Sequence, residues 1–158
     1  MITKERLREL VSYDAVTGKF TRLVRRTNGK DAGWPDRNGY LYMMIDGKTY
    51  AYHRLVWLHV HGKFPDHEID HINGNKADNR IANLRDVTRS QNMQNEVKAR
   101  KSSSSGFMGT SFRKDRGTWV ATIKVNGKRK RLGAFATPQD AEAAYIAAKR
   151  ALHPGFTL

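Results

Sequence analysis

The sequence predicts an α+β protein in two parts. The first holds a strand–loop–strand–helix core, and the second a three-stranded antiparallel sheet packed on one helix. Three observations predict this. Asp46-Gly47 and Asn126-Gly127 each lie between β-rich runs, and such pairs tolerate the positive φ angles that tight hairpin turns require. Thr88 and Gln91 have capping-box spacing directly after a short β-rich run, so a strand there hands over to a helix. Residues 98–105 contain four consecutive serines among basic residues. Such a segment buries too little apolar surface to fold and reads as a linker. The division is therefore 1–97, a linker over 98–105, and 106–158.

Residues 4–11 open as a helix with Leu7, Leu10 and Val11 on one side. Val16-Thr17-Gly18-Lys19 reads as a turn into a strand over residues 20–24. Residues 27–38 are polar and contain glycine, which marks a loop. Residues 39–45 and 48–52 flank the Asp46-Gly47 turn. Residues 53–61 form a helix with Leu55, Val56, Leu58 and Val60 as its apolar surface; Gly62 stops it and Pro65 follows. Residues 68–72 are extended, Asn73-Gly74-Asn75 opens a polar loop to Asn83, residues 84–87 return as a strand, and Thr88 begins a helix. Beyond the linker, residues 107–113, 118–125 and 128–135 are strands. Thr137-Pro138-Gln139-Asp140 then starts the last helix, with Thr as N-cap, Pro at the first helical position and an acid in the first turn. Ala141, Ala144, Tyr145, Ala148, Ala151 and Leu152 recur at helical spacing, and small alanines let that helix lie close on a sheet.

Lys and Arg number 29 against 15 Asp and Glu, a formal net charge of +14. This points to a polyanion, with nucleic acid first, because each phosphate neutralised by Lys or Arg releases a condensed counterion. No basic amphipathic helix speaks for a membrane surface. The absence of cysteine excludes disulfides and thiolate zinc sites. No apolar run of spanning length and no secretory leader stand out, so an intracellular chain is expected.

Asp70-His71 ends a strand, Asn83 closes the following loop, and Asn92 lies on the next helix. Hydrolysis of a phosphodiester needs a base for water, which a neutral histidine supplies near neutral pH. It also needs a divalent cation against the charge that builds on the phosphate and the leaving oxygen. Hard cations prefer oxygen ligands, and Asp70 and Asn92 offer them. A rival pattern overlaps: His67-Glu68-Ile69-Asp70-His71 spells H-E-x-x-H, the zinc-protease motif. That motif works only where both histidines share a helix face. Pro65 before it and Asn73-Gly74 after it leave about two turns at most, so the match is set aside as accidental.

Tyr52-His53-Arg54-Leu55-Val56-Trp57, Ile69-Asp70-His71-Ile72-Asn73-Gly74, Asp78-Asn79-Arg80, Asn83-Leu84-Arg85 and Asn92-Met93-Gln94-Asn95 together resemble the phage HNH homing-endonuclease family. The resemblance implies a ββα-metal core over about residues 66–96, with His71 as general base. It implies Asp70 and Asn92 as ligands of magnesium or manganese, and Asn83 as the residue that ties the loop and orients the site. In many members the last ligand is histidine; here Asn92 stands in that place. His53 and Arg54 fall in a matching stretch and are candidates for phosphate contact or site support, against plain packing at a helix start. A phage-encoded chain would act in the cytoplasm of its bacterial host.

Gly106-Phe107-Met108-Gly109, Gly117-Thr118-Trp119, Leu132-Gly133-Ala134-Phe135 and Ala141-Glu142-Ala143-Ala144-Tyr145 resemble the plant ethylene-response-factor (Apetala-type) DNA-binding domain, whose three-stranded sheet enters the major groove. The alternation agrees. Trp119, Ala121, Ile123 and Val125 share one face, and Thr122 and Lys124 the other, joined by Ser111, Arg113, Arg129 and Arg131. Such a face suits a phosphate-lined groove, with Arg113, Thr122, Lys124, Arg129 and Arg131 as DNA-binding candidates. Ser111 and Arg131 depart from the plant pattern, so the plant target sequence does not carry over.

The expectation is a divalent-metal-dependent DNA endonuclease. One Asp-His pair makes one reaction centre, so a monomer that nicks one strand is expected. The alternative is a catalytically silent DNA-binding regulator, which would not need Asp70, His71, Asn83 and Asn92 together.

Overall fold

The computed structural model describes residues 1–23, 33–95, 99, 105–153 and 155–156, and the chain divides into two compact units, Met1–Asn92 and Met93–Leu158.

The first unit begins with helix α1 (Lys4–Leu10), capped by Thr3, whose hydroxyl accepts the Arg6 N–H at 3.2 Å. Val11, expected in that helix, instead starts strand β1 (Val11–Asp14), antiparallel to β2 (Lys19–Arg22). Val11 and Phe20 are both fully buried, and the packing of a β-branched residue outweighs its weak helical preference. Within the stretch expected to be loop, Trp34–Pro35 forms a two-residue strand, β3, at the edge of a sheet with β4 (Leu41–Ile45) and β5 (Lys48–Ala51). Pro35 is tolerated there because an edge strand leaves one row of N–H groups unused. Residues 27–32 of that loop and the end of the expected strand at Val24 lie outside the described residues. Asp46 (φ 46°) and Gly47 (φ 74°) make the β4–β5 turn.

Helix α2 (Tyr52–His61) supplies Tyr52, Leu55, Val56 and Leu58 to a core shared with Leu7, Val11, Phe20, Met43 and Ile45. Strands β6 (Glu68–His71) and β7 (Leu84–Val87) form a separate antiparallel ladder, anchored to this core through Ile69 and Leu84. Each such buried side chain contributes roughly 1.5–3 kcal/mol, enough to hold a short ladder in place. A single 3-10 turn, Ile81–Asn83, leads into β7. Helix α3 (Arg89–Gln94) follows with its box formed: the Gln91 N–H donates to the Thr88 hydroxyl, and the Thr88 N–H to the Gln91 side chain.

In the second unit, β8 (Thr110–Arg113), β9 (Thr118–Val125) and β10 (Lys128–Phe135) form one antiparallel sheet in the order β10-β9-β8, with α4 (Pro138–Leu152) packed on it. Strand β8 starts three residues later than expected. The backbone before it is engaged elsewhere: the Met108 N–H donates to Glu142 Oε1 at 2.8 Å, and the Gly109 carbonyl accepts the Thr122 N–H. Residues 93–95, read as part of the first domain, belong to the second unit, where Gln94 Oε1 accepts the Gly155 N–H. Most of the expected linker, residues 98 and 100–104, lies outside the described residues. Among the described residues no helix is long and apolar enough to cross a membrane.

Candidate active site

The β6–β7 ladder sets the position of each candidate. Ile69 faces the core, and the register then pairs Asp70 with Arg85 and His71 with Leu84. Asp70 and His71 retain 6% and 3% of their exposure. A carboxylate this buried needs a cationic or hydrogen-bonding partner. Arg85 provides one, donating from Nη2 and Nε to Asp70 Oδ2 at 2.6 and 2.9 Å. Strand alternation puts Glu68 on the same side as Asp70. Asn92, from α3, donates its Nδ2 to Glu68 Oε2 at 2.8 Å. An ionised carboxylate only accepts, so this bond sets the amide's orientation and leaves the Asn92 oxygen as the atom to offer a cation.

His71 Nε2 lies 3.2 Å from Asn79 Oδ1. Asn79 donates its own Nδ2 to the Ala77 carbonyl at 3.2 Å, so its oxygen must be the atom facing the imidazole. The neutral ring therefore carries its proton on Nε2, and Nδ1 is the basic atom. Burial pushes the His71 pKa down, and this outweighs the raising effects of the Asn79 bond and the Asp70 charge. The ring is thus neutral at pH 7, as a base must be. His53 stands edge-on to it at 5.4 Å, and Tyr40 lies 5.7 Å from His53 and 6.0 Å from His71. Burial, then the charges of His71 and Arg54, hold His53 down at about 4. The Lys76 ammonium sits 4.5 Å from the Tyr40 ring centroid and adds positive charge beside this cluster.

Asn83 ties the loop. Its Oδ1 accepts the Asn73 N–H at 3.0 Å, its Nδ2 donates to the Asp78 carbonyl at 2.8 Å, and its own carbonyl accepts the Ile72 N–H. Both ends of its amide are spent on backbone, and the amide facing His71 is that of Asn79. Asp78 is held down at about 2, chiefly by the Arg80 guanidinium, and also receives Asn73 Nδ2 at 2.8 Å. Arg54 donates to the His67 carbonyl at 3.4 Å and lies over the Phe64 ring, so it braces the chain leading into β6. His67 turns to Asp86, and His67–His71 runs into a strand rather than a helix, which removes the zinc-protease geometry.

A divalent cation fits the donor chemistry. Asp70 and Asn92 present hard oxygens, and Asp70 already attracts a cationic group. Among the described residues no three His, Cys, Asp or Glu side chains cluster as a cage, so a cation here would draw its other oxygens from phosphate and water.

In the second unit, cross-strand pairing brings Arg113 beside Thr118, Arg131 beside Thr122 and Arg129 beside Lys124. These share one face. Lys124, Arg129 and Arg131 are exposed, and Arg113 is paired with Asp115 at 3.0 Å. Ala121 and Ile123, on the opposite face, are buried with Ala141 of α4.

Four residues of the first unit escaped the sequence reading of roles. Glu68 was findable, since a residue two positions before Asp70 on a strand shares its side. Asn79 and Arg85 lie inside the matching motifs Asp78-Asn79-Arg80 and Asn83-Leu84-Arg85, where nothing local assigns them a role. Tyr40 has no local signal, because only the tertiary fold brings it near His53 and His71.

Residues 50–94 match the family model described as HNH endonuclease. "Protein 3.8" of Escherichia phage T7 is 37% identical over 78 residues, 49% of this chain and 64% of that protein. The "Uncharacterized HNH endonuclease L247" of Acanthamoeba polyphaga mimivirus is 43% identical over 70 residues, 39% of this chain and 18% of that protein. The chain thus spans less than two thirds of the curated relatives it matches. A solved structure described as "DNA binding and cleavage by the HNH homing endonuclease I-HmuI" aligns at a TM-score of 0.46 and 23% identity, over 77% of this chain and 71% of that one.

Proposed function

We propose, from the match of residues 50–94 to the HNH endonuclease family model, a divalent-metal-dependent endonuclease that hydrolyses phosphodiester bonds of double-stranded DNA, nicking one strand at a preferred site. The observation that carries this reading is the setting of His71: a buried imidazole whose Nε2 faces Asn79 Oδ1 at 3.2 Å, one residue from the buried carboxylate of Asp70.

In this reading His71 Nδ1 takes a proton from the water that attacks phosphorus, and Asn79 holds the ring so that the lone pair stays on that nitrogen. The charge acquired by the ring is offset by the neighbouring Asp70. Asp70 and Asn92 would hold magnesium or manganese, which when bound neutralises charge on the phosphate and on the leaving 3′ oxygen. Glu68 keeps the Asn92 oxygen turned outward. The products are a 5′ phosphate and a 3′ hydroxyl. The face bearing Arg113, Thr122, Lys124, Arg129 and Arg131 supplies phosphate contacts in the manner of an ethylene-response-factor sheet, and a monomer suffices for one cut.

The test is a supercoiled plasmid incubated with magnesium, manganese or chelator. Open circle should form first, at a rate first order in bound monomer, and chelator should stop it. Direct conversion to linear product would sink the nicking claim, and no cutting with either metal would leave a DNA-binding regulator.

A further inference from the structure

The β1–β2 hairpin is bonded to the loop that holds Asn79. Tyr13 of β1 donates its hydroxyl to the Asn79 carbonyl and accepts the Ile81 N–H, both at 2.9 Å. Two backbone groups of an irregular loop thus find their partners on one phenol. The phenol is itself seated, with Phe20 at 5.3 Å and His59 at 5.7 Å. At the hairpin tip Gly18 (φ +73°) touches the same loop: a Cβ there would lie 2.5 Å from the Arg80 nitrogen and 2.7 Å from the Asn79 carbonyl carbon. Side-chain hydrogen bonds of Asp14 to the Val16 N–H and the Thr17 hydroxyl hold that tip in shape. Asn79 is 1% exposed, so its side chain has little room once its backbone is set.

We infer that the β1–β2 hairpin is a positioning element of the reaction centre, with Tyr13 acting through Asn79 on the ring of His71. The hydroxyl holds the 79–81 backbone, the backbone aims the Asn79 oxygen, and the oxygen keeps the imidazole proton on Nε2. With the strap released, the oxygen can leave Nε2, and the ring can adopt the tautomer whose Nδ1 already carries a proton and cannot take one from water. The inference rests on the nuclease reading above.

Tyr13→Phe keeps the ring and removes the hydroxyl. Three quantities are measured on the full chain: the single-turnover nicking rate, the DNA Kd, and the imidazole 15N shifts of His71 in metal-free protein at a pH where the ring is neutral. The rate should fall about tenfold, the order expected when the phenol's two part-buried hydrogen bonds to the loop are lost. The Kd should stay within about twofold, since only the chemical step is affected. The 15N shifts should move from one tautomer to a mixture. Asn79→Ala should lower the rate further, and adding Tyr13→Phe to it should cost nothing more. Gly18→Ala, which displaces the same loop sterically, should reproduce the split between rate and affinity, and it takes over the test if Tyr13→Phe does not fold. Wild-type rate with an unchanged tautomer, rate and affinity falling together, or additive losses in the double variant would each overturn the inference. If the wild-type chain does not cut at all, the nuclease reading fails, while the tautomer shift still decides whether Tyr13 positions His71.

Discussion

Arg85 reaches across the β6–β7 ladder and sets two N–H groups on a single oxygen of Asp70, at 2.6 and 2.9 Å. The side chains retain 21% and 8% of their exposure, so the pair is largely shielded from solvent. A divalent cation bound at Asp70 would meet the same carboxylate, and the guanidinium would share it or give way.

Arg85→Gln should therefore lower stability without metal by about 1–3 kcal/mol, because a buried carboxylate loses its charged partner. Magnesium should restore part of that loss, since a ligand that binds only the folded state stabilises it. Thermal melts across a magnesium titration check this. The variant's Tm should rise more than the wild type's, and equal shifts would argue against a cation at Asp70.

His71→Ala should lose nicking by at least about a hundredfold, the low end of what a positioned general base contributes. DNA affinity should stay within a few-fold, since the ring is buried and clamps no phosphate. Asp70→Ala should also stop cutting, with partial recovery at raised metal concentration. A His71→Ala chain that nicks at a normal rate would remove the base assignment.

Glu68→Ala frees the Asn92 amide to turn its nitrogen toward the site. The magnesium concentration for half-maximal rate should then rise about tenfold, as is usual when a partner that orients a metal ligand is removed. Glu68→Gln should do less, because its amide oxygen still accepts from Asn92 Nδ2. The comparison is a metal titration of the initial nicking rate, and identical curves for all three chains would leave Glu68 without this role.

Stability should fall as the solution is acidified below about pH 6.5. His53 titrates near 4 in the folded chain against an ordinary 6.5, and His71 is lowered as well. The unfolded chain therefore binds more protons than the folded one between those values, so stability rises with pH there and is complete above 6.5. For His53 the full span is worth about 3 kcal/mol. Denaturant unfolding at pH 7, 5.5 and 4.5 measures it. His53→Gln should flatten part of the slope, and an unchanged pH dependence would contradict a neutral, partly buried His53.

Replacing Lys124, Arg129 and Arg131 together by Ala should make DNA binding less salt-dependent. Each lost phosphate contact lowers the slope of log K against log salt by about 0.9, so a drop of up to roughly 3 is expected. Arg113→Ala should do less, because Asp115 already takes its charge. Affinity measured between low and physiological salt gives the slope, and an unaltered value would mean that this face does not meet phosphates.

Local sequence determined most elements and the choice of candidates. The turns at Asp46-Gly47 and Asn126-Gly127, the Thr88–Gln91 box and the Thr137 cap depend on residues within four positions of one another, and a local pattern suffices to read them. Asp70, His71, Asn83 and Asn92 were legible for a related reason: their spacing is itself the motif. Tertiary structure decided the rest. Val11 left its helix because its packing partners come from β2 and the core. Asp70 meets Arg85 across 15 residues, Asn92 meets Glu68 across 24, and Tyr13 meets Asn79 and Ile81 across 66 and 68. Asn79 and Asn83 are the clearest case. Both are loop asparagines with the same donors and acceptors, and no local rule says which one faces the imidazole. The path of the loop decides it, and that path is set by a phenol and a glycine some sixty residues earlier in the chain.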